Sequence, residues 1–194
     1  MDIEKFIKKS NDMFSSYMKR YIKNRTVLDI GCGNGLSALF LAEEIPCKME
    51  LTDIEDLRDK KARTLPFRLA SKSKIPYEND SFDVLLIQMI LHHLKTNPVA
   101  FLREAYRVTK EHVILVEEVL TEGIDIKEAM RMDREVNEKL HPGFSSPVQR
   151  FFSEEELKQF IRRAKLKIEK EHIIPVKNYL SFKVFILKKS ARGN

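Results

Sequence analysis

Cysteine is nearly missing from this chain of 194 residues, which has only Cys32 and Cys47. Two thiols cannot lay down a disulfide framework, and neither stands at a metal-ligand spacing from a histidine. No metal ligand is therefore assigned, and a reducing, cytoplasmic setting is expected. Long apolar runs are missing too. The longest, Val84 to Leu91, is interrupted by Gln88 and is far too short to cross a bilayer, and the opening residues Met1-Asp2-Ile3-Glu4-Lys5 lack the apolar core of a signal peptide. Neither sign of charge dominates: Lys+Arg 35 against Asp+Glu 29 gives +6, spread along the chain rather than gathered in an arm. Such a balance allows an anionic partner such as RNA without favouring one.

What is present is a chain at 43% hydrophobic, enough to bury the core of one domain. Its most informative stretch is Val27-Leu28-Asp29-Ile30-Gly31-Cys32-Gly33-Asn34-Gly35, a β-type run, an acid and three alternating glycines, followed by the apolar segment Leu36 to Ile45. That reads as strand, tight turn and helix. Glycines at 31, 33 and 35 remove every Cβ from the loop and let the backbone lie against a ligand, beside the unpaired N–H groups of the helix start. The spacing is not the dinucleotide G-x-G-x-x-G, whose third glycine would fall at Leu36, and no Arg or Lys lies between Val27 and Glu43 to meet a pyrophosphate. An acid opening the loop suits a ligand with an ammonium group better than one with phosphates.

Val27 to Gly35 resembles motif I of the class I S-adenosylmethionine-dependent methyltransferases. The resemblance implies an α/β, Rossmann-like fold: a seven-stranded, mostly parallel sheet with an antiparallel last strand and helices on both faces. It also implies that S-adenosylmethionine is the cofactor, its amino-acid end held near Asp29, Gly31, Cys32, Gly33 and Gly35. The expected strand Lys48 to Thr52 ends at Asp53, 22 residues after Gly31, about the offset at which a nucleotide-binding unit presents an acid to ribose hydroxyls. Asp53 is either that ribose ligand or a cap for a helix starting near Glu55. In the resembling family the next residue, here Ile54, lies on the adenine. An acid of that family near the third strand, which meets the adenine amino group, is matched here by Ser71, which transfers the contact to the hydroxyl or to backbone around Lys72. Gln88, closing the fourth strand, completes the implied cofactor set.

Elsewhere, residues 3 to 22 carry Ile3, Phe6, Ile7, Phe14, Tyr17, Met18 and Tyr21 at helical spacing, with lysines between them, and read as an amphipathic helix packed on the domain. Further helices are expected over Asp56 to Thr64, Asn97 to Val108 and Ile126 to Leu140. Strands are expected at Pro66 to Ala70, Phe82 to Ile87 and Lys110 to Val119. Ser153 with Glu156 forms a capping box before a last helix. Two closing strands, Lys167 to Ile174 and Ser181 to Leu187, are joined too closely for a crossover and so pair antiparallel. The organisation expected is one domain over 1–194, with a helix at 1–24, a cofactor-binding half at 25–120, a substrate lid at 121–150, and the last helix and strand pair at 151–189.

Leu91-His92-His93-Leu94 resembles the branch of the family that includes quinone-biosynthesis enzymes, and places His92 and His93 at the mouth of the site as candidate bases. Either histidine is a base for an acidic hydroxyl or nitrogen, or both pack and cap a turn. Glu117 and Glu118 end the fifth strand, where ligands of open α/β sheets bind. The lid's polar candidates are Arg131, Asp133, Arg134, Glu135 and His141. No Asn-Pro-Pro-Tyr run and no Pro-Cys nucleophile occurs, which argues against amino methylation of nucleic acid and against cytosine C5 chemistry. The function expected is methyl transfer by in-line displacement to a small-molecule acceptor. RNA or protein methylation, a nicotinamide dehydrogenase and a catalytically silent cofactor-binding scaffold are the alternatives.

Overall fold

The computed structural model describes residues 2–71, 73–95, 97–142, 147–176 and 179–189. Helix α1 (Ile3–Ile22) leads into strand β1 (Thr26–Ile30), α2 (Leu36–Glu44), β2 (Lys48–Asp53), β3 (Phe67–Leu69) and β4 (Phe82–Gln88). Then come α3 (Pro98–Val108), β5 (Thr109–Val119), α4 (Ile126–Leu140), α5 (Glu154–Arg163), β6 (Leu166–Ile174) and β7 (Ser181–Lys189). The strand order is β3-β2-β1-β4-β5-β7-β6. Strands β1 to β5 run parallel, while β7 is antiparallel to both β5 and β6. The expected sheet is therefore the one observed, with β7 as its reversed strand.

Alternation explains why both faces are covered. On one face Leu28, Ile30, Leu85, Ile87, Val113 and Leu115 join Leu102 of α3 and Leu157 and Ile161 of α5. On the other, Val27, Val84, Leu86, Ile114 and Val116 join Met18 and Ile22 of α1 and Leu41 of α2. Strands apolar at every position are what a sheet buried on both sides requires. The α1 stripe packs as its periodicity implied, Asp2 caps it by accepting from the Lys5 N–H at 3.1 Å, and its lysines stay in water. Asn11 of α1 donates to the Ser37 carbonyl and accepts from the Ser37 hydroxyl, clipping α1 to α2.

One expected element is corrected. Asp56 to Thr64 is not a helix but an irregular segment with a single 3₁₀ turn, Ala62–Thr64. Asp56 accepts from the Arg58 N–H and Asp59 from the Lys61 N–H, so these short acids tie up the local backbone and compete with helical bonding. Arg58 folds over the Phe67 ring and donates to the Leu65 carbonyl.

The chain leaves β1 toward β2 and β3, and returns to β4 on β1's other side. That reversal opens a crevice at the carboxyl ends of β1 and β4, the place where open α/β sheets bind ligands.

Candidate functional site

At the end of β1 the backbone keeps hold of β2 for two more residues, Gly31 N–H and Cys32 N–H both donating to the Thr52 carbonyl at 2.8 and 3.3 Å. It then turns back, with Gly35 N–H on the Cys32 carbonyl at 2.9 Å. Gly31, Gly33 and Gly35 all sit in the left-handed region, at φ of 68°, 53° and 72°. A Cβ on Gly31 would stand 2.5 Å from the Ile90 side chain, and one on Gly33 would stand 2.5 Å from the His141 ring. Glycine is required there by backbone conformation and by space together.

Three polar side chains converge beside this turn. Asp53, closing β2, accepts from the Gly33 N–H at 2.8 Å and from the Ile54 N–H at 2.7 Å, tying the end of β2 to the loop. Burial raises its pKa, against the pull of those two N–H groups. Asp29 is 4% exposed, and burial pushes its carboxyl up to about 7, opposed by a hydrogen bond from Gln88 and reinforced by the Asp53 charge. Among the described residues no Lys, Arg or His is ion-paired with Asp29. A buried acid of this kind gains when a cation is brought to it. The Cys32 thiol is driven up by burial and then by the Asp29 and Asp53 charges, so it stays protonated. Ile54 presents an apolar face, 42% exposed, just beyond Asp53.

Ser71 lies on an exposed turn, where its hydroxyl accepts from the Ser73 and Lys74 N–H groups at 3.4 and 3.0 Å. Lys72, paired with it in the sequence reading, lies outside the described residues.

A second polar group lies across the crevice. After β4, Met89 takes φ 55°, an unusual conformation for a side chain of its size, and throws the chain into the 3₁₀ turn Leu91–His93. That turn delivers His92 and His93 to the end of β5. The His92 ring is 1% exposed, and its Nδ1 is bonded to Glu117 Oε1. Glu117, fully buried, also accepts from the Leu91 N–H at 2.7 Å and the Glu118 N–H at 3.0 Å. Burial opposes charge on His92, but Glu117 and Asp133 outweigh it and lift the imidazolium pKa to about 10. His93 goes the other way: burial and the neighbouring His92 charge hold it down to about 4. Burial pushes Glu118 up to about 7, against the His92 charge, and Tyr179 hydrogen-bonds to it.

The fourth wall is α4. Of the lid candidates, Asp133 and His141 turn inward. Asp133 Oδ1 stands 3.7 Å from His92 Nε2 and 4.0 Å from His93 Nε2. Arg131 instead pairs with Glu128 and Glu135 on the exposed face, and Arg134 is exposed as well. The end of α4 reaches the glycine loop, where Asn34 Nδ2 donates to the Leu140 carbonyl at 3.4 Å and Leu140 packs near Ile7, Leu36 and Phe40. The features of this group that the sequence did not single out are Tyr179 and the pairing of Asp133 with the histidines. Spacing along the chain carries no trace of either.

Residues 28–116 match the family described as "Methyltransferase domain". An uncharacterized methyltransferase of Schizosaccharomyces pombe is 34% identical over 113 residues, half of this chain and 40% of that protein. A mitochondrial arginine-hydroxylase of Danio rerio is 30% identical over 93 residues, 46% of this chain and 29% of that protein. Each of these matches thus spans less than half the length of the curated relative. In fold, the chain is similar to the crystal structure of a SAM-dependent methyltransferase from Methanosarcina mazei, at a TM-score of 0.68 and 19% identity, over 89% of this chain and 96% of that one. No described helix is long and apolar enough to cross a membrane. The matched segment runs from β1 into β5, across the glycine loop, Asp53 and both histidines, so it is this part of the chain that is similar to the methyltransferase domain.

Proposed function

We propose that this protein transfers the sulfonium methyl group of S-adenosylmethionine to a small-molecule acceptor. The observation that carries the reading is Asp29: a buried acid without an ion-pair partner among the described residues, beside a three-glycine turn that lets a ligand approach the backbone. It suits the ammonium end of the cofactor, with Gly31, Cys32, Gly33 and Gly35 as the surrounding backbone and Gln88 orienting the carboxylate. Asp53 spends one lone pair of each oxygen on backbone N–H groups, which leaves both oxygens able to accept from two vicinal ribose hydroxyls. Ile54 offers its exposed apolar face to the adenine, and Ser71 its hydroxyl to the adenine edge.

Bound S-adenosylmethionine supplies an already activated methyl group. The protein's own work is then alignment and exclusion of water. Asp29 and Asp53 fix the two ends of the cofactor, and α4 covers the glycine loop through Leu140 and His141. His92 and His93, with Glu117 and Asp133, form the acceptor side, where a hydroxyl or nitrogen nucleophile is held and its proton taken up. This wall is polar and buried, which supports a compact acceptor over a polymer.

The test is calorimetric titration with S-adenosylmethionine, followed by incubation of labelled cofactor with fractionated cell extract. One-to-one binding and label in the small-molecule fraction are expected. Label confined to RNA or protein would overturn the acceptor class. Binding without label in any fraction would leave a silent cofactor-binding protein, and tight NAD binding in place of S-adenosylmethionine would overturn the whole reading.

A further inference from the structure

The group formed by β4, β5 and α4 contains more than a pair of bases needs. His92 is almost completely buried, and its Nε2 has no hydrogen-bond partner, because Asp133 Oδ1 at 3.7 Å is beyond hydrogen-bonding distance. His93 Nε2 faces the same oxygen from 4.0 Å. One donor atom from each of His92, His93 and Asp133 can be chosen so that all lie within 4.8 Å of one another.

His92 and Asp133 also have hydrogen-bond partners behind them. Glu117 holds Nδ1 of His92 and is itself fixed by two backbone N–H groups. The Pro147 carbonyl lies against the His93 ring, and Asn137 Nδ2 donates to Asp133 Oδ2 at 3.0 Å. Supporting carboxylates and carbonyls behind imidazoles are what orients them toward a common ion. Charge points the same way. Glu117, Glu118 and Asp133 are all buried here, and among the described residues no Lys or Arg is ion-paired with any of them. These acids draw a cation toward them, and His92 is the only group ion-paired with Glu117 among the described residues.

We propose that His92 Nε2, His93 Nε2 and Asp133 Oδ1 form a site for one divalent first-row transition-metal ion, which fastens α4 to the carboxyl end of the sheet. Two imidazoles and one carboxylate suit ions such as Zn²⁺ or Co²⁺ and leave coordination positions open for water or an acceptor. Tetrahedral bonds of about 2.0–2.1 Å hold donor atoms roughly 3.3 Å apart, so seating an ion draws each histidine and Asp133 together by less than about 1 Å. Both Nε2 atoms must be free of protons to bind, so affinity for the ion falls as the pH is lowered. The site uses residues proposed for the acceptor side, and because it is tested with the metal alone its failure leaves the methyl-transfer reading standing.

Chelator-treated protein is titrated with Zn²⁺ by calorimetry. One ion per chain is expected. Glu117→Gln should weaken binding by about 10–100-fold, as loss of a supporting partner does, and His93→Gln and Asp133→Asn should weaken it further. His112→Gln, in a different histidine and carboxylate group on β5, should leave it unchanged. In the unaltered protein, Zn²⁺ should shift the Nε2 resonances of His92 and His93 and slow amide exchange across residues 126–140. Absence of saturable one-to-one binding, binding retained in both His93→Gln and Asp133→Asn, or shifts at other histidines would overturn the site. Unchanged exchange in α4 would overturn its role as a fastening.

Discussion

The two sides of the crevice are built in opposite ways. The side proposed for the cofactor is contiguous: Asp29 to Gly35 lie on one loop, and Asp53 joins them from the neighbouring strand through a hydrogen bond to Gly33. The side proposed for the acceptor is assembled from Leu91–His93, the end of β5, the inner face of α4 and Tyr179, segments far apart along the chain. A loop folded on itself binds what its backbone can reach, whatever packs around it. A wall collected from four segments holds its chemistry only while all four are in place, so the acceptor side is where stability and function are most tightly joined.

The largest effect should therefore come from Glu117. Removing its carboxylate strips His92 of its main partner and leaves the Leu91 and Glu118 N–H groups unpaired inside the protein. Loss of one member of a buried pair costs about 3–5 kcal/mol, so Glu117→Ala should lower the urea midpoint by that equivalent. The pH dependence carries a sign. The His92 pKa is raised in the folded state, from 6.5 to about 10, so this stabilisation is complete below pH 6.5 and is lost as the pH rises through about 10. The gap between Glu117→Ala and the unaltered protein should shrink over that range, and a gap independent of pH would show that Glu117 acts by packing alone.

On the cofactor side the corresponding residue is Asp29. Its free-state pKa of about 7 means that an ammonium ligand finds it ionised above pH 7 and must displace a proton below. Affinity for S-adenosylmethionine should then fall by up to about tenfold, or about 1.4 kcal/mol, per pH unit below 7. Asp29→Asn should weaken binding at pH 8 by about 1.5–3 kcal/mol and flatten the slope. A retained slope in that variant, measured by calorimetry in matched buffers, would move the titrating group elsewhere. Asp53→Ala should cost about 1–3 kcal/mol with no slope of its own, the scale of hydroxyls left without an acceptor. Unchanged affinity would remove Asp53 from the ribose role.

How far each side was legible in the sequence follows from the same contrast. Alternating glycines after a β-type run, and an acid 22 residues on, are visible because a strand, its turn and the next strand lie close together along the chain. The sheet was equally open to reading, since strands buried on both faces are apolar at every position. The helix expected over Asp56 to Thr64 failed because Asp56 and Asp59 bond to their own backbone, a choice that helical periodicity does not reveal. His92 and His93 were visible as a pair, but nothing in their spacing tells that one is held protonated and the other neutral. Glu117 and an Asp133 brought in by α4 hold His92 charged, and burial together with that charge keeps His93 neutral. Nor does sequence distinguish Asp133, turned inward, from Arg131, two residues away and facing water.

The smallest effect should come where the two sides touch. His141, at the end of α4, lies against Gly33, its ring within 2.5 Å of where a Cβ would stand, and burial keeps its pKa below the usual histidine value. A neutral ring over the turn stands where a ligand lying against Gly33 would come, so the proposed cofactor would meet it there. If the covered arrangement is the more populated one in the free protein, binding is weakened by the fraction of molecules already open. His141→Ala removes the obstruction without touching Asp29 or Asp53, and should therefore tighten S-adenosylmethionine binding by a factor of up to about ten, mostly through faster association. Weaker binding in stopped-flow measurements on His141→Ala would reverse the assignment, making His141 a residue that closes over the cofactor once it is seated. The two sides would then cooperate through α4 in holding it, where the obstruction makes them compete.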